Sequence, residues 1–74
     1  MSPYDESHYR AVYNEFVASK ANLGEAVDNI TFEGFRSKLR NSEQQLLDRH
    51  GCRAVRFQVL VKDRTVSLRP QLVR

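Results

Sequence analysis

Between Val55 and Lys62 the side chains alternate: Val55, Phe57, Val59 and Val61 are apolar, Arg56, Gln58 and Lys62 are polar, and Leu60 alone breaks the polar series. After Asp63-Arg64 the apolar positions resume at Val66, Leu68 and Leu72. Period-two patterning on both sides of a two-residue gap predicts a hairpin, with strands over about 54–62 and 65–72. If Asp63 and Arg64 form the loop, Lys62 faces Thr65, and Val61–Val66, Val59–Leu68, Phe57–Pro70 and Val55–Leu72 are opposed pairs. One face is then apolar and needs a core. The other carries Arg56, Gln58, Lys62, Ser67, Arg69 and Gln71 and is wet and positive. Arg64 costs up to about 1 kcal/mol if the loop demands positive φ, which leaves the turn type open.

The first half shows a different period. Tyr9, Val12, Tyr13, Phe16 and Val17 recur every three or four residues, predicting a helix over about 5–22. Asp5 and Glu6 suit its positive end, Lys20 its negative end, and Gly24 can stop it. Residues 25–30 form a connection, with Val27 and Ile30 turned inward. Thr31 is a suitable N-cap for a second helix over about 32–49, in which Phe32, Phe35, Leu39, Ser42 and Leu46 form the apolar stripe, Leu47 widens it, and Gly51 ends it. Ser42 and Gln45 also fit a capping box that would break this helix at Asn41-Ser42; one continuous helix is the favoured reading. The expected fold is α+β, with two amphipathic helices packed on one face of a C-terminal antiparallel hairpin. Both strand edges would be open, so a second copy or another chain could extend the sheet.

Seventy-four residues suffice for one small domain over 1–74. Cys52 is the only cysteine, which excludes an internal disulfide, and no charged-then-apolar segment opens the chain, so a reducing cytoplasm is the expected compartment. No apolar run approaches the roughly 20 residues of a membrane span. Asn29-Ile30-Thr31 matches a glycosylation acceptor, which carries no weight without export. The net charge of +3 is unevenly placed: residues 1–30 sum to −3 and residues 31–74 to +6. That split implies either an acidic partner for the second half or an internal pairing of the two halves.

Little chemistry is nominated. His50 and Cys52 flank Gly51, but a zinc site needs four ligands and the only other histidine is His8. Cys52 reads more simply as a small core residue and His50 as a helix-end residue favoured by the dipole. No carboxylate pair and no phosphate-binding glycine loop appears, so no catalytic residue, cofactor, metal or small-molecule substrate is expected. Tyr9 and Tyr13 share a helical face with Phe16 and read as core aromatics rather than as a platform for stacking bases. The basic set stands above this background. Arg36 and Arg40 lie four apart on the outer side of the second helix, and Arg56, Lys62, Arg64 and Arg69 lie on the polar face or tip of the hairpin. Either acidic groups such as Glu25, Asp28, Glu33 or Glu43 neutralise them, or they meet an external acid or phosphate.

Across Phe35, Leu39-Arg40-Asn41, Gly51-Cys52-Arg53, Val55-Arg56-Phe57-Gln58-Val59 and Val61-Lys62-Asp63, the chain resembles a small domain found at the C-terminal end of diverse, uncharacterised myxobacterial proteins. The likeness runs from about Val12 to Val73. It departs at Arg64, where glycine usually follows the turn aspartate, and at Leu68-Arg69. The resemblance implies a compact, transplantable, non-enzymatic bacterial module of unknown function and brings no site residues with it.

The expected function is therefore a non-enzymatic protein-interaction module that uses an exposed hairpin edge and its basic face, Arg36, Arg40, Arg56, Gln58, Leu60, Lys62, Arg64 and Arg69. Its partner would be an acidic protein or a second copy. The alternative is a small nucleic-acid binder that places Arg36, Arg40, Arg56, Lys62 and Arg69 on phosphates; against it, the polar face has no aromatic residue and no recognition-helix motif is present.

Overall fold

The computed structural model of the chain describes residues 3–74, which form α1 (Glu6–Asn22), α2 (Phe32–His50), β1 (Ala54–Lys62) and β2 (Thr65–Val73) in that order. Each helix boundary has a local cause. Asp5, in extended conformation, accepts hydrogen bonds from the amides of Ser7 and His8 at 2.9 and 3.3 Å, and Thr31 accepts from Gly34 at 3.2 Å. α2 runs unbroken through Asn41-Ser42 and ends at Gly51, whose φ of 62° lets its N–H reach the Leu47 carbonyl at 2.9 Å. No helix among the described residues is long and apolar enough to cross a membrane.

The hairpin has the register that the alternation predicts, from Lys62–Thr65 at the loop to Ala54–Val73 at the root. Asp63 and Arg64 both take positive φ, 52° and 61°, the signature of a type I′ turn. This fixes the turn type: the right-handed twist of the strands favours it strongly enough to hold an arginine in the left-handed region. In an antiparallel ladder closed by a two-residue loop, hydrogen-bonded and non-bonded pairs alternate from the loop outwards. The amides of Val55, Phe57, Val59 and Val61 on β1, and of Val66, Leu68 and Leu72 on β2, therefore point away from the neighbouring strand. Pro70 falls in the same outward series, where its missing N–H costs no ladder bond.

Tyr9, Val12, Phe35, Leu39, Val55 and Phe57 make the core. Tyr13 is wedged edge-on between Phe32 and Phe35, with ring centroids 5.4 and 5.7 Å away, and its hydroxyl donates to the Ile30 carbonyl, which pins the connection between the helices. The helices cover the apolar face unevenly. Val55 and Phe57 are 2% and 8% exposed, whereas their cross-strand partners Leu72 and Pro70 are half-buried and exposed, and Val61 near the loop is 53% exposed. Both helices pack chiefly on β1, so the root of β1 is sealed while the flank of β2 and the tip stand clear. The helices thus pack on one face of the hairpin as expected, more over β1 than over β2.

Candidate interaction surface

A buried carboxylate organises the root of the sheet. Glu43 lies one turn beyond Leu39 on α2 and is 1% exposed. Its Oε1 accepts the Tyr9 hydroxyl from α1, and its Oε2 accepts the amides of Tyr4 at 3.1 Å and Val55 at 3.4 Å. A buried acid is tolerated only when its lone pairs are occupied, and three donors occupy these. Burial, followed by the adjoining carboxylate, pushes the Tyr9 hydroxyl well above the ordinary phenol range. Tyr4 reaches Glu43 with a φ of 57°, and the Arg40 guanidinium lies over its ring at 5.2 Å.

His8 performs a parallel task one residue pair along. Its Nε2 accepts the Phe57 amide at 2.9 Å, and the two rings stack with centroids 6.3 Å apart. An accepting Nε2 carries no proton. Burial, then the charge of Arg56, hold the imidazole below its ordinary pKa, while Asp5 and Glu43 pull it the other way. Glu43 and His8 thus occupy two of the outward amides of β1. The expectation that both edges are open is corrected: β1 is closed at Val55 and Phe57. Among the described residues no group reaches the outward amides of Val59, Val61, Val66, Leu68 or Leu72.

The basic residues divide into two sets. Arg36 donates through Nε to Glu6 at 2.6 Å; that bond holds the Glu6 carboxyl below its usual range and raises Arg36. Arg56 meets Asp5 at 3.4 Å, and Asp5 is held low chiefly by the His8 amide that it caps. Arg40 lies over Tyr4. Residues 4–6 therefore engage all three arginines. Of the acids expected to neutralise them, Glu43 is inside and Glu25 pairs with Lys20 at 3.6 Å, while Glu33 adds only a minor field at Arg36. Exposed ion pairs add little stability, so this segment masks charge more than it braces the fold. The second set is Gln58, Leu60, Lys62, Arg64 and Arg69. Gln58 contacts Gln71 across the strands at 3.4 Å, Leu60 is half-buried, and Lys62, Arg64 and Arg69 are exposed.

Beside the uncovered flank of β2 runs a groove. One stretch, of about 480 Å³, lies among Phe16, Ile30, Phe35, Leu39 and Leu68. A second, of about 280 Å³, continues past Ser42 and Leu46 to Phe57 and Pro70; the two share Lys38, Leu39 and Leu68. Cys52 is half-buried against the core and His50 is exposed at the end of α2. Among the described residues no three His, Cys, Asp or Glu side chains cluster as metal ligands.

The residues that the sequence did not nominate are Glu43 and His8. Glu43 replaces Ser42 in the α2 stripe: it falls four residues after Leu39 and four before Leu47, and Ser42 is exposed. An acid at a stripe position is the signal that marks it. No family model, curated protein or solved structure is similar to this chain.

Proposed function

We propose that the chain is a non-enzymatic protein-interaction module that presents the free part of its hairpin to a partner. The carrying observation is the division of the sheet edges: two outward amides at the root of β1 are occupied by Glu43 and His8, and the rest have no partner among the described residues and lie near exposed Val61, Lys62, Arg64 and Arg69. Unpaired strand edges attract further strands, and cations beside them select an acidic one. An acidic protein segment fits; a second copy, itself of charge +3, is the less complementary occupant.

The nucleic-acid reading has less support, because three of its five phosphate contacts, Arg36, Arg40 and Arg56, are engaged by residues 4–6. Panning a random display library on the purified chain separates the two. Peptides whose affinity falls at least tenfold with Arg69→Glu or Val61→Asp support the module. Failure to enrich any peptide, together with duplex DNA binding whose logarithm falls by about 0.9 per phosphate contact for each log unit of salt, overturns it.

A further inference from the structure

We infer that the partner adds a short extended segment alongside β2, whose apolar residues enter the groove between α2 and β2 and whose intervening acidic residues face Arg69. The inference rests on the interaction reading above and assigns it an edge and a ligand chemistry.

Three observations converge on β2. The first is backbone supply: the amides of Val66 and Leu68 point outward in succession, the Pro70 carbonyl follows, and no side chain closes them, whereas half of the outward amides of β1 are occupied. The second is the space beneath. A strand added about 4.8 Å beyond β2 keeps its same-face side chains level with Leu68 and Pro70. That is where the groove lies, with Leu39 and Leu46 of α2 as its apolar floor. Val55 and Phe57 of β1 instead pack in the core with Tyr9, Val12 and Phe35.

The third is charge. The opposite side chains of an added strand lie beside Ser67, Arg69 and Gln71, and Lys38 stands at the groove rim. Among the described residues neither Arg69 nor Lys38 forms an ion pair. Carboxylates on the incoming strand match Arg69, whereas Lys38 lies on the groove side with the apolar side chains. A second copy matches poorly: β2 placed antiparallel to its own image brings Arg69 towards Arg69 between two chains of charge +3.

The probe is a short acetylated peptide alternating valine and glutamate, with its valine–lysine counterpart as control, added to the isotope-labelled chain while amide exchange is followed. The expected result is at least tenfold slower exchange at Val66 and Leu68 with the glutamate peptide alone and no change at Val59 and Val61. Ser42→Trp, at an exposed position that lines the groove, removes the protection and leaves the thermal unfolding curve in place. Protection at Val59 and Val61 instead overturns the assignment to β2 and leaves the interaction reading standing. Equal protection by the two peptides overturns the acidic preference. Concentration-dependent protection without peptide makes a second copy the occupant and overturns the inference. Unchanged exchange at saturating peptide also overturns it, with the broader reading then decided by the library selection.

Discussion

The Tyr9 hydroxyl donates to the carboxylate of Glu43, and this one buried contact joins α1 to α2 across 34 residues of sequence. A hydrogen bond to a charged acceptor contributes about 2 kcal/mol, roughly double a neutral one. Tyr9→Phe should lower stability by about that amount. Glu43→Ala should cost more than about 3 kcal/mol, because it strands the Tyr9 hydroxyl and the Val55 amide in the interior. Pairing Tyr9→Phe with Glu43→Ala should cost clearly less than the two added, since the phenylalanine leaves no stranded hydroxyl. Urea denaturation of the four proteins measures the coupling.

Acid should loosen the other clasp. The His8 Nε2 accepts the Phe57 amide, and protonation removes the acceptor. Its folded pKa lies below the ordinary value of about 6.5, so the stability it contributes is complete above that value and is lost as pH falls through the folded one. The expected outcome is a fall in unfolding midpoint and a smaller protection factor for the Phe57 amide as pH falls below the ordinary histidine value. His8→Gln should abolish this step. Asp5 and Glu6, whose carboxyls are held low, lose their contributions further down, near and below their own folded pKa values.

The loop carries removable strain. Arg64 sits at φ 61°, a conformation that costs a side-chain-bearing residue about 1 kcal/mol and glycine nothing. Arg64→Gly should raise the melting temperature by about 4–8 °C, the shift expected of 1 kcal/mol in a domain of this size. A calorimetric scan is sufficient.

Charge masking by residues 4–6 is testable without disturbing the helix cap. Asparagine caps as well as aspartate. Asp5→Asn combined with Glu6→Gln should preserve α1 while unmasking Arg36 and Arg56. Elution of this variant from heparin at higher salt than the parent chain, with unchanged circular dichroism, is the expected result.

The hairpin was legible in the sequence to the residue because its register follows from a period of two and a loop of two: Lys62–Thr65 fixes every later pair. The helix boundaries were legible because Asp5, Thr31 and Gly51 act on groups a few residues away. Glu43 was not, because its burial depends on donors far apart in sequence, Tyr4 ahead of α1, Tyr9 on α1 and Val55 on β1. The same holds for Arg36 with Glu6 and Arg56 with Asp5, which are 30 and 51 residues apart. Local pattern placed both arginines on outer faces but carried no information about what would fold back over them. The uneven cover of the hairpin was hidden for a related reason. An apolar stripe says that a helix is buried, and it leaves undetermined which strand lies above it.

Pro70 bears on how such a chain stays dispersed. Stacking of copies into a cross-β fibre needs an uninterrupted row of donors along the growing rim. That row is broken at Pro70, between Leu68 and Leu72. A brief guest can pair on the loop side of the gap, whereas lamination along the full length of β2 would leave an unanswered carbonyl in every layer.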